Sequence, residues 1–75
     1  MSYEFPATLG VESVHKTCQT IDPIVVTLVN VANYADIDLS NAALAAAGET
    51  RGRIHQITVL RDAYEDIATV KLYRD

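Results

Sequence analysis

With ten acidic and six basic side chains in 75 residues, a formal charge of -4, the chain fits one small domain (1–75) and repels phosphate backbones, so no nucleic-acid partner is expected. Its single cysteine, Cys18, excludes an intramolecular disulfide scaffold and points to a reducing compartment. No apolar run is long enough to span a bilayer and no charged leader precedes an apolar stretch, so a soluble, unprocessed protein is expected, cytoplasmic or part of a non-secreted particle.

From Met1 to Leu9 the chain alternates, with Met1, Tyr3, Phe5, Ala7 and Leu9 on one side and Ser2, Glu4, Pro6 and Thr8 on the other. Period-two alternation is a strand signal, and Pro6 removes a ladder donor, which suits an edge strand or an exchanged N-terminal arm. Val11 to Ile21 carries both patterns: Val11, Val14, Cys18 and Ile21 recur at helical spacing, while the Val, Thr and Ser content favours a strand, the reading adopted. Pro23 to Val31 is dense in β-branched residues and reads as a strand buried on both faces; Asp22-Pro23 would equally open a short buried helix.

Asn33-Tyr34-Ala35-Asp36 is a polar break. Asp38 or Ser40 then caps a helix of about 38–47, which Gly48 ends in a left-handed conformation. The helix is alanine-rich, with Leu44 as its large apolar anchor, so a sheet beneath must hold it. After a loop at 49–52, Arg53 to Leu60 forms a strand with His55, Ile57 and Val59 on one face, and 61–66 is a polar connection. Ile67 to Tyr73 forms a last strand, paired with the previous one as a hairpin. The expected fold is therefore α+β: a small two-layer domain of four to five strands with one helix on one face of a mixed or antiparallel sheet. The order ββαββ admits a β-grasp-like connection.

Candidate chemistry is sparse. His15 and Cys18, three apart, with His55 elsewhere, contain the residue types of an activated thiolate or a three-ligand metal site, yet a strand sends His15 and Cys18 to opposite faces. Cys18 is expected as a small buried hydrophobe and His15 at the surface. Asp36 and Asp38, and the group Asp62, Glu65 and Asp66, lack the ligand spacing and turn glycine of a calcium loop; capping accounts for Asp38 and turn chemistry for Asp62. The loop 48–53 lacks the Lys-Ser/Thr ending of a P-loop, and its Arg51 and Arg53 are expected to pair with carboxylates in this domain or on a partner. No cofactor, metal or catalytic set is expected.

A chain that is 49% hydrophobic yet this short gains from burial against other chains. The expected interface residues are Tyr3, Phe5, Leu9, Arg51, Arg53, Tyr64 and Tyr73, since terminal strands expose sheet edges and tyrosine brings area with a polar tip. The leading expectation is a non-enzymatic assembly or protein-binding module, a small subunit of a homo-oligomer or larger particle. A small acidic inhibitor or adaptor of viral or mobile-element kind, binding a larger enzyme, is the second. An effector subunit of an enzyme complex is the third.

Overall fold

The computed structural model describes residues 8–18 and 21–74. Four strands and one helix follow in the order β1 (Gly10–His15), β2 (Ile24–Val29), α1 (Asp36–Ala47), β3 (Ile54–Asp62) and β4 (Ile67–Arg74), with a 3-10 turn at Arg51–Arg53 before β3. This is the expected two-layer α+β domain in ββαββ order. The sheet order is β1-β2-β4-β3 and every neighbouring pair is antiparallel, so the mixed alternative is not used. Strands β2 and β3 thus run in the same direction, joined through α1, with β4 inserted between them as in a split βαβ unit.

Alternation explains the layers. Ile24, Val26 and Leu28 of β2 register with Leu72, Val70 and Ala68 of β4, all fully buried beneath the helix. Their alternates Val25, Thr27 and Val29 are half-buried on the opposite face. The expectation that β2 is buried on both faces is therefore corrected, because a single helix about 18 Å long covers one face only. The strand also stops at Val29, before Val31, since Asn30 takes a left-handed φ of 60°. β1 ends at His15, so the longer strand read through Ile21 is shortened.

The helix begins at Asp36, earlier than expected. The Ala35 N–H donates to Asp38 Oδ2 at 3.2 Å, so Asp38 reaches back from the third helical position instead of preceding the helix. Ser40 is no cap either; its hydroxyl donates to the Asp36 carbonyl at 2.9 Å within the helix. The early start adds Ile37 outside the expected range. Leu39, wholly buried, joins Leu44 as an anchor, correcting the reading of Leu44 as the sole one. Ala42, Ala43 and Ala47 are buried and let the helix lie close to the sheet. At its end Gly48 has φ +69°, and the N–H groups of Gly48 and Glu49 donate to the Ala45 and Leu44 carbonyls, a Schellman motif.

β3 begins at Ile54, and its register with β4 shifts between Ile54 and Gln56. His55 is the inserted residue of this bulge, so it does not share a face with Ile57 and Val59 as the alternation implied. The bulge instead lets Ile54, an odd number of residues from Ile57, pack with Ile57 and Val59 against the core. No helix among the described residues is long and apolar enough to cross a membrane.

Candidate functional site

The densest polar constellation joins the loop after β2 to the β3–β4 hairpin. Arg61, near the end of β3, donates through Nη1 to Asp36 Oδ1 at 2.8 Å and through Nη2 to the carbonyls of Val31 at 2.7 Å and Tyr34 at 2.9 Å. Asp66, in a left-handed conformation with φ 53°, accepts from the Ala32 N–H at 2.8 Å through its carboxylate and from the Asn30 N–H at 3.0 Å through its carbonyl. Asp62 Oδ1 accepts from the Tyr64 N–H at 2.9 Å and the Glu65 N–H at 3.4 Å, which shapes the hairpin turn. Between these groups lies an open groove of about 310 Å³ lined by Val31, Ala32, Arg61, Asp62, Ala63 and Asp66.

Each charged wall of that groove is already engaged with the protein's own backbone or with Asp36. The arrangement acts mechanically: the planar fork of Arg61 spans two carbonyls that a turn leaves without ladder partners, and Asp66 satisfies the amide beside them. Tyr34 OH hydrogen-bonds Thr8 Oγ1, adding Thr8, just before β1, to the same clamp. Neither Arg61 nor Asp66 emerged from the sequence as a site residue, although an Arg and an Asp flanking a hairpin turn beside a polar break give a signal for loop anchoring.

His15 and His55 do not meet. They belong to β1 and β3, the two outer strands, which lie three strand spacings apart, about 14 Å. His15 is exposed, and His55 Nδ1 lies 3.1 Å from the Arg74 carbonyl with its ring tilted against Tyr73 at 6.3 Å. Cys18 is exposed, which corrects its expected burial. Among the described residues no group of three or more His, Cys, Asp or Glu could hold a metal ion.

The expected interface residues scatter. Tyr3 and Phe5, with most of the alternating segment 1–9, lie outside the described residues. Leu9 packs into the chain's own core at 4% exposure. Arg51 donates to Asn41 Oδ1 at 2.7 Å, so its observed partner is a neutral amide and not the expected carboxylate, and Arg53 is exposed in the same 3-10 turn. Tyr64 stands fully exposed at the hairpin tip, and Tyr73 is half-buried opposite Gln56.

What the sequence reading missed is the sheet face away from the helix. Register and alternation place Val25, Thr27 and Val29 of β2 there, with Ile67, Thr69, Lys71 and Tyr73 of β4 and Leu60 of β3. No helix or strand among the described residues packs on this face. One helix in a four-stranded chain was the available signal, since it leaves one side of the sheet uncovered. Comparison with models of known protein families, with curated proteins and with solved structures finds no match to this chain.

Proposed function

We propose that this chain is a non-enzymatic assembly or protein-binding module, a small subunit of a homo-oligomer or larger particle. The observation that carries this reading is the uncovered sheet face, on which Val25, Val29, Leu60, Ile67 and Tyr73 surround a threonine pair, Thr27 and Thr69. This sheet surface carries Lys71 and Asp62 among apolar and hydroxyl side chains, and its half-buried valines gain by being covered; Ile21, Ile37 and Tyr64 are exposed elsewhere. The test is light scattering on the intact chain and on Thr27→Glu, which sets a charge in the middle of that face without touching the core. The intact chain is expected at a multiple of its 8.2 kDa mass, with the variant folded but dissociated. A monomeric intact chain, or a variant of unchanged mass, counts against it.

A second reading, an acidic adaptor or inhibitor of a larger protein, draws on the hairpin tip. There Tyr64 is fully exposed between Asp62 and Glu65, an aromatic anchor in an acidic setting. It requires a monomer whose capture by a basic partner weakens as salt rises; association indifferent to salt argues against it.

A further inference from the structure

We infer that the outer edge of β3 is the seam of a two-fold dimer, in which two copies of this strand pair antiparallel about Thr58 and fuse two four-stranded sheets into one. The inference rests on the assembly reading and adds an edge contact beside the uncovered sheet face that carries that reading.

The two edges of the sheet differ. β1 has six residues, its register breaks between Val11 and Ser13, and it carries Glu12, all of which blunt an edge against pairing. β3 has nine residues, and beyond its single bulge the register with β4 runs unbroken from Gln56 to Asp62. Within that run Gln56-Ile57-Thr58-Val59-Leu60 contains no charge, no proline and no glycine, so between the bulge at His55 and Arg61 the usual devices against edge pairing are missing. No strand among the described residues pairs with this outer edge.

A second copy fits it because the run is self-complementary. Antiparallel pairing about Thr58 sets Ile57 against Val59 of the partner subunit on the helix-facing side. Both side chains are already half-buried against their own core, so two cores would become continuous. On the open side, Thr58 faces its own copy, and Leu60, 50% exposed, lies against Gln56 of the partner subunit. Two β3 edges close after one pairing, whereas β3 against β1 would propagate as a filament, which gives the blunting of β1 a purpose. Each copy carries -4, so added salt should tighten this dimer, opposite to its effect on an acidic adaptor.

Cysteine cross-linking reads the register. In a Cys18→Ser background, which removes the exposed native thiol, Gln56→Cys, Thr58→Cys and Leu60→Cys are made singly in the full chain. The proposed pairing brings the two position-58 Cα atoms to about 4.5–5.5 Å, within disulfide reach, and leaves like pairs at 56 or 60 about 14 Å apart. Under mild oxidation the Thr58→Cys chain is expected to run as a covalent dimer, the other two singly as monomers, and a mixture of the 56 and 60 variants as a covalent dimer. An oligomer by light scattering without this cross-linking pattern overturns the seam and leaves the assembly reading standing. A monomeric parent overturns both.

Discussion

Arg61 Nη2 donates to the Val31 carbonyl at 2.7 Å across 30 positions of sequence, and this bond holds the β2–α1 loop against the β3–β4 hairpin. The same guanidinium also reaches the Tyr34 carbonyl and Asp36, so one side chain fixes both the loop and the start of the helix. Arg61→Met should cost about 1–2 kcal/mol, because two backbone acceptors lose a charged donor. Arg61→Lys should recover only part of this, lacking the planar fork. Asp36→Asn should cost less than about 1 kcal/mol, as expected of an exposed ion pair. Urea melts of the three variants check the order; an Asp36 variant as damaged as Arg61→Met would assign the clamp to the ion pair.

Asp66 combines a left-handed backbone with a hydrogen bond to the Ala32 amide. Asp66→Asn should be tolerated, since asparagine accepts the same bond and the same φ. Asp66→Ala loses the acceptor and strains the backbone, for a loss of about 1–3 kcal/mol. Asp66→Gly relieves the strain alone and should fall between them. Thermal denaturation of the series separates the two contributions.

Glycines 10 and 48 are required for different reasons. A Cβ on Gly10 would stand 2.7 Å from Val29 Cγ2, the side chain of its register partner, while Gly48 has open space but φ +69°. Valine is stiff at χ1, so Gly10→Ala should force β1 away from β2, at about 1–3 kcal/mol. Gly48→Ala should cost about 1 kcal/mol through backbone strain. Gly52→Ala meets neither obstacle and should be neutral or slightly stabilising, which makes it the control. Amide exchange across the β1–β2 ladder should rise in the Gly10 variant and stay unchanged in the Gly48 variant.

Ile37 and Leu39 stand two residues apart on α1 with opposite fates, 58% exposed and fully buried. Leu39→Ala should cost about 2–5 kcal/mol, enough to unfold much of a domain this small, whereas Ile37→Ala should change stability by less than about 0.5 kcal/mol. Equal losses at the two positions, measured by chemical denaturation, would mean that Ile37 is covered in solution.

The elements with a strong local signal were legible. The alternation of Ile67 to Tyr73 and the alanine run closed by Gly48 act within a few positions and form where expected, whereas the connection read over 61–66 is shorter, a turn at 63–66, because β3 runs on through Asp62. The helix start was missed because Asp38 caps by reaching back from inside the helix, a role its residue type shares with a true N-cap. The bulge at His55 left no mark in composition; it follows from the register that β4 imposes. The Arg61 clamp was hidden for the same reason, since its acceptors are backbone carbonyls, which carry no residue identity. For β2 the composition was read correctly as a strand and incorrectly as two-sided, because valine on an uncovered face is indistinguishable in sequence from valine in a core.

The insertion of β4 between β2 and β3 also bears on how the domain is made. Ile24 must find Leu72, and Val29 must find Ile67, so the central ladder joins segments separated by half the chain or more. The helix packs on β2 as well as on β4, but the core beneath it closes only when that strand arrives. Local order can form early, but the rate-limiting event should be this long loop closure, and folding should be slow for so short a chain. A nascent or nicked chain lacking β4 retains no half-domain able to persist alone, so the protein should gain its stability in one late, cooperative step.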